Sequence, residues 1–99
     1  MTYNLLFEIT FDKKSKRKQP IRNNYRPGFE INKNSFFSGT IRLIDTESLL
    51  PGETCNAIVG FFSNEPFKDL KKEDVLDFYE VPNKIGTSKL IEVIGWGDL

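Results

Sequence analysis

The fold is decided by the stretch from Tyr25 to Glu53, which contains YRPGFEI at 25–31, FFSGTIRLID at 36–45 and SLLPGE at 48–53. The proline at the start holds the residue before it in an extended conformation, and the glycine that follows allows a bend. Two apolar runs then flank a polar turn at 32–34. The stretch therefore predicts a turn, two strands and a second tight turn, and the rest of the chain supplies partner strands.

The second apolar run predicts a strand from Phe36 to Asp45 in which Phe37, Ile41 and Leu43 point inward. Gly39 interrupts this strand, and a glycine inside a strand indicates a bulge or a barrel corner. The sequence LPGE at 50–53 has proline in the second position and glycine in the third. That order is typical of a type II turn.

Four further strands flank this stretch. Alternation over Tyr3–Phe11 places every second residue, from Leu5 onward, on one apolar face. The other three are expected at 54–62, 75–81 and 85–94, with a tail of Gly95, Trp96 and Gly97 after the last. Residues 64–74 are compatible with either a short helix or a structured loop. Six short strands spaced by turns predict one all-β domain over residues 1–99, a small barrel or sandwich.

Composition excludes several kinds of chemistry. The chain has no histidine and a single cysteine, Cys55, so it lacks the commonest metal ligand and general base and has no thiolate cluster for zinc. We therefore expect no catalytic centre, no cofactor and no metal site. The N-terminal residues lack the pattern of a secretory signal, and no apolar run approaches the roughly 18 residues that span a bilayer. We expect a cytoplasmic protein that binds no membrane.

Charge is unevenly distributed, although the formal net charge is zero. Through Arg26 there are seven basic and two acidic residues, a balance of +5, and the remainder has seven basic and twelve acidic residues, a balance of −5. Most of the early cations lie in the basic loop, residues 12–24 (DKKSKRKQPIRNN). This loop is either a solvated segment that protects a sheet edge or a contact for phosphates or an acidic partner. It has no interleaved aromatic residues on which bases could stack.

The chain resembles the third, C-terminal β-barrel domain of translation elongation factor Tu. The resemblance rests on QPIRNNYRPGFEI at 19–31, SGTIRL at 38–43, the Leu-x-Pro-Gly-Glu turn at 49–53 and FYEVPNKIGTSKLIEVIG at 78–95. It extends from about Tyr3 to Gly95. The resemblance implies a six-stranded antiparallel Greek-key barrel. In the family this domain binds rather than catalyses: it packs against the GTPase domain, contacts transfer RNA and receives the nucleotide-exchange factor. The G-x-x-x-x-G-K-[ST] loop of nucleotide-binding proteins is absent here, so GTP binding does not carry over.

These observations predict a non-enzymatic interaction module whose partner is another protein. That partner is either a component of the translation machinery or a toxin, in which case this chain is the immunity protein that neutralises it. The alternative is an RNA-binding module that contacts a transfer RNA-like ligand through the basic loop. Tyr25, Arg26 and Trp96 each have a structural alternative, in which the tyrosine and tryptophan close the ends of the barrel and the arginine pairs locally. The predicted binding residues are Lys13, Lys14, Lys16, Arg17, Lys18, Arg22, Tyr25, Arg26 and Trp96.

Overall fold

The computed structural model describes residues 1–99 as an all-β protein, which confirms the predicted fold class. All strand pairings are antiparallel. The strands are β1 (Thr2–Phe11), β2 (Ile21–Arg22), β3 (Gly28–Asn32), β4 (Ser35–Ser38), β5 (Thr40–Leu43), β6 (Ser48–Leu49), β7 (Thr54–Phe61), β8 (Val75–Glu80) and β9 (Asn83–Gly97). Seven of them form one sheet in the order β4-β3-β8-β9-β1-β7-β5, and β2 pairs separately with β6.

Strand β1 is an interior strand of the sheet, because it pairs with β7 on one side and β9 on the other. Its alternation is the one that the sequence predicts: Leu5, Phe7, Ile9 and Phe11 are all completely buried. Their side chains form the middle of a single core of 17 buried apolar residues. Period-two patterning therefore decides which face of the sheet becomes the interior.

The sheet curls so far that its two edges approach each other. Strands β4 and β5 lie at opposite edges, yet Gly39 alone separates them along the chain. Gly39 N–H donates to Pro27 C=O at 3.1 Å, and Ile41 N–H donates to Tyr25 C=O at 2.9 Å. The segment before β3 thus contacts the start of β5, and the core fills the inside of the resulting half-barrel.

The predicted strand at 36–45 is split at Gly39, and one of its three inward residues is only partly buried. Ile41 and Leu43 are buried as predicted, whereas Phe37 is 37% exposed. Phe37 lies directly opposite buried Phe29 and is therefore on the inward face, as predicted, but it remains partly exposed because β4 has no strand on its other side.

The segments between the predicted strands contain further structure. The structure has nine strand segments where six are expected. The split at Gly39 adds one, and the short strands β2 and β6 add two. Residues 95–97, predicted as a tail, are the end of β9 and pair with Thr2–Asn4. The uncertain segment 64–74 contains one 3-10 turn at Glu65–Phe67, of which Phe67 is buried.

The tight turn at Leu50–Glu53 is confirmed. Glu53 N–H donates to Leu50 C=O at 3.0 Å, and Gly52 has φ +90°, the left-handed conformation that the third position of a type II turn requires.

The two ends of the half-barrel carry different groups. At the loop end, the pairs Phe11↔Gly86 and Thr10↔Thr54 bring together the end of β1, the start of β9 and the start of β7. The basic loop leaves β1 here, and the pair Ile21↔Leu49 places two buried side chains over this end. At the opposite end, which we call the notch end, Tyr3 lies between Phe61 and Trp96.

The structure has no helix with the length and hydropathy that crossing a bilayer requires.

Candidate binding surfaces

The basic loop presents a group of unpaired cations. Its four lysines are exposed, and none of them takes part in any of the four ion pairs of the structure; they are Lys13, Lys14, Lys16 and Lys18. The loop is anchored between them, since Ser15 is buried and its Oγ accepts a hydrogen bond from Arg17 N–H at 3.1 Å. The lysines therefore project from a fixed turn.

Arg17 has a different role from these lysines. Its Nη1 donates to Glu80 Oε2 at 2.7 Å, while Nε and Nη2 donate to the backbone carbonyls of Gln19 and Pro20 at 3.1 and 3.0 Å. The guanidinium also lies 4.3 Å from the centre of the Tyr25 ring. These contacts hold the basic loop against the end of β8.

Tyr25 completes this cluster. Its hydroxyl donates to the same Glu80 oxygen at 2.6 Å. Burial, followed by this hydrogen bond and the negative charge of Glu80, raises the pKa of Tyr25 well above its usual range. Of the predicted binding residues, Arg17 and Tyr25 are thus engaged within the chain.

Two polar depressions adjoin this cluster. One of about 450 Å³ lies beside Arg17 and Tyr25 and includes Arg22 in its lining. The next, of about 310 Å³, is lined by Asn23, Asn24, Arg42 and Leu99. Arg22 and Arg42 are exposed and outside every ion pair, so this surface adds positive charge to that of the lysines.

An acidic depression lies at the loop end. It has a volume of about 500 Å³, and Asp45, Glu53 and Cys55 are in its lining. Burial, helped by the charge of Glu53, raises the pKa of the Cys55 thiol. A thiol in this state is a poor nucleophile at neutral pH, because the thiolate is the reactive form.

The notch end carries an aromatic surface, which we call the notch. It is a depression of about 150 Å³ lined by Phe37, Ser38, Phe61, Phe62, Ser63 and Phe67. The rings of Phe61 and Phe67 form its floor, with centroids 4.1 Å apart, and the Phe37 ring lies 6.2 Å from that of Phe67.

Phe62 forms the rim of the notch, and Arg26 lies beside it. Phe62 is 70% exposed, and the Arg26 guanidinium lies 5.3 Å from the centre of its ring. This is within the distance of a cation–π contact. Arg26 is exposed and, like the lysines of the basic loop, belongs to no ion pair. The predicted binding residue Arg26 therefore lies beside the notch, where it contacts an aromatic ring. The other predicted cations belong to the basic loop.

Trp96 lies at the same end of the half-barrel. It stands opposite Tyr3, with ring centroids 5.5 Å apart, and is 50% exposed. The neighbouring Val93 and Ile94 are 44% and 48% exposed. The indole thus contacts Tyr3, which packs against the core, while half of the Trp96 side chain faces solvent.

Sequence reasoning missed the aromatic rim of the notch. The sequence predicts Phe62 as the end of a strand at 54–62 and Phe37 as an inward residue, and neither prediction places a ring at an exposed rim. The available signal was the Phe61-Phe62 pair, because adjacent strand residues face opposite ways and only one of the two can be buried in a single core.

A scan against models of protein families finds no match, and a search of curated proteins also finds none. No group of three or more histidine, cysteine, aspartate or glutamate side chains lies close enough together to hold a metal ion.

Proposed function

We propose that this protein is a non-enzymatic binding module that recognises another protein through the notch. The observation that carries the proposal is the 70% exposure of Phe62 at the rim of a depression with an aromatic floor. A single exposed apolar residue is ordinary, but a cavity flanked by exposed aromatic rings and an arginine has the composition of an interface hot spot.

The contact between Arg26 and Phe62 supports this proposal. It orients both side chains before a partner arrives, so that less side-chain entropy is lost on binding. Neither residue contributes to the buried core. The pair is therefore better suited to binding a partner than to stabilising the fold.

The proposal is tested by quantitative capture of binding proteins on immobilised wild-type protein and on Phe62→Ser. The matched control is Val75→Ser, since Val75 is 56% exposed on β8 and outside the notch. We expect the affinity of a specific partner to fall at least tenfold for Phe62→Ser, which corresponds to about 1.4 kcal/mol, and to be unchanged for Val75→Ser. Equal capture by both variants would contradict the proposal.

The proposal extends to the kind of barrel. We infer a closed six-stranded Greek-key barrel of the elongation factor Tu C-terminal-domain type. The support is that the β3–β4 pairing continues past Gly39: Gly28 lies opposite Ser38, and the hydrogen bonds from Gly39 and Ile41 to Pro27 and Tyr25 keep the same register. Counting 24–32 and 35–43 as one strand each gives six. We propose that the partner is either a component of the translation machinery or a toxin that this chain neutralises as an immunity protein. We also propose a cytoplasmic location.

RNA binding through the basic loop is the second candidate, and the four exposed, unpaired lysines favour it. If all four contacted phosphates of a single-stranded RNA, log K would fall by about 3 per log unit of salt, at roughly 0.7 per contact. Titration with transfer RNA and with a single-stranded oligonucleotide at several salt concentrations tests it. An affinity that does not change with salt would exclude this candidate. The zero net charge favours the protein partner instead.

A further inference from the structure

Strand β4 has an edge with unused backbone groups. It pairs with β3 alone, although its chain continues directly into β5, which pairs with β7. In an antiparallel ladder, hydrogen-bonded pairs alternate with non-hydrogen-bonded pairs. The bond from Gly39 N–H to Pro27 C=O marks that pair as hydrogen-bonded, and Phe37 with Phe29 is the next of the same kind. The N–H and C=O groups of Phe36 and Ser38 therefore point away from β3.

These backbone groups have no partner within the chain. None of the turn and loop hydrogen bonds uses the backbone of Phe36 or Ser38. Ser38 is exposed and Phe36 is half-buried, so the edge is accessible. An accessible edge of this kind is a template for another strand.

The unused edge opens directly onto the notch. The β5–β7 register pairs Thr40 with Gly60, and its continuation would place Phe62 opposite Ser38. The pairing ends at Thr40, so the two strands separate at this point. We call the gap between Ser38 and Phe62 the fork. Its floor is the aromatic lining of the notch.

We infer that the fork accepts an extended segment of a partner protein, which adds to β4 as a strand and inserts one apolar side chain into the notch. This inference rests on the proposed function and specifies its mode of recognition. Backbone hydrogen bonds to Phe36 and Ser38 supply affinity, and the notch supplies specificity. Its volume of about 150 Å³ suits one ring, since an apolar protein cavity of that volume is large enough to bind benzene.

The charge at the rim defines the partner further. Arg26 is exposed beside Phe62 and has no carboxylate partner in this chain. An acidic residue next to the inserted side chain would supply one, and charge complementarity of this kind fixes register and excludes basic segments. The occupant is therefore an extended acidic segment with one aromatic or branched aliphatic anchor.

The first experiment selects displayed random octapeptides on the wild-type protein. We expect enrichment of sequences with one aromatic or branched aliphatic residue and a nearby carboxylate, without proline at the central positions. An enriched peptide is then synthesised with single N-methyl groups along its backbone. Methylation should weaken binding at least tenfold at alternate positions only, because alternate N–H groups of an added strand face β4. Uniform loss along the peptide, or none, would overturn strand addition.

Variants of the protein provide the second experiment. Ser38→Pro removes the N–H that faces the fork, and proline is tolerated where an edge N–H faces solvent. Ser38→Ala is the matched control, since it keeps the backbone donor. We expect the enriched peptide to bind Ser38→Pro at least tenfold more weakly than Ser38→Ala. The N-methyl series on the wild-type protein decides the matter if Ser38→Pro does not fold.

The outcomes separate this inference from the proposed function. Peptides that bind Ser38→Pro and Ser38→Ala equally, but lose affinity for Phe62→Ser, would overturn strand addition and leave the notch as the binding surface. Peptides that also retain affinity for Phe62→Ser would contradict both. A failure to enrich any peptide would overturn strand addition alone, since protein capture tests the proposed function separately. A wild-type dimer that Ser38→Pro dissociates would replace the partner with a second copy of this chain.

Discussion

At the scale of single residues, Gly39 is where sheet geometry leaves no room for a side chain. A Cβ at this position would lie 2.6 Å from Val59 Cγ1, 2.7 Å from Phe61 Cε1 and 2.9 Å from Phe29 Cε1. These neighbours are buried and in contact with one another, so they have little freedom to move. The glycine permits the close approach of β5 to the core at the point where the chain passes from one sheet edge to the other.

We therefore predict that Gly39→Ala lowers the free energy of unfolding by about 2 kcal/mol, in the range of overpacked core substitutions. Gly97→Ala is the control, because a Cβ there would lie 3.7 Å from Asn4 Nδ2, an ordinary contact distance. Urea unfolding of the two variants measures the difference. Equal midpoints would show that the core around Gly39 is looser than the distances indicate.

Tyr25 gives a second residue-scale prediction, on alkaline stability. Its pKa is raised in the folded state, mainly by burial and then by Glu80, so the folded protein holds the phenolic proton more tightly than the unfolded chain does. This contribution is fully present below the unfolded pKa of about 10 and is lost as the pH rises from there through the folded pKa. Removing the hydroxyl removes both the hydrogen bond to Glu80 and this pH dependence.

The variant Tyr25→Phe should be less stable than wild type by about 1 kcal/mol at pH 8, the usual contribution of one hydrogen bond. The difference should shrink between about pH 10 and 12, since only the wild type has this proton to lose. Urea unfolding at pH 8 and pH 11 measures it. A constant difference across this range would mean that Tyr25 ionises at the same pH in both states.

At the scale of elements, the basic loop depends on one arginine for its position. Arg17 binds Glu80 at the end of β8 and two carbonyls of its own loop. We predict that Arg17→Ala speeds amide hydrogen exchange across residues 13–19 and leaves exchange in β1 and β9 unchanged. The loss of global stability should be at most about 1 kcal/mol, because solvent screens a pair whose glutamate is 41% exposed.

Lys16→Ala is the control for this experiment, since Lys16 is exposed and belongs to no ion pair. It should leave exchange in the loop as it is in the wild type. If both variants behave alike, the order of the loop comes from its turn and from buried Ser15 rather than from Arg17.

The elements that the sequence predicts depend on residues close together in the chain, whereas those that it misses depend on residues far apart. Strand β1 and the Leu50–Glu53 turn follow from residues next to one another, so alternation and the Pro-Gly order were sufficient. The last three residues of β9 are a strand because they pair with Thr2–Asn4, at the other end of the chain. Two of the three residues in Gly95-Trp96-Gly97 are glycine, which is depleted in strands, so the local sequence favours a strand only at Trp96.

The candidate site divides in the same way. The cations of the basic loop are visible in the sequence as a run of charge. Whether a given cation is free to bind a partner depends on distant residues: Arg17 is paired with Glu80, which lies 63 positions away. The fork exists because pairing between β5 and β7 stops at Thr40 and Gly60. Where pairing stops depends on the curvature of the whole sheet, and no single stretch of sequence contains that information.

At the scale of the whole molecule, β1 and β9 connect the two ends of the half-barrel. They pair from Phe11 and Gly86 at the loop end to Thr2 and Gly97 at the notch end. One continuous core lies against them, so neither end has a separate set of buried side chains. We therefore predict that both ends unfold together in a single two-state transition.

The chain provides one natural probe at each end for this prediction. Trp96, the single tryptophan, lies against Tyr3 at the notch end, and Cys55, the single cysteine, pairs with Ile9 near the loop end. Tryptophan fluorescence and thiol labelling in increasing urea should give the same midpoint. Gly39→Ala should lower both midpoints by the same amount, because its clash lies in the shared core. Two separate midpoints would show that the ends are independent units, and a ligand bound at the notch would then stabilise only the end that carries Trp96.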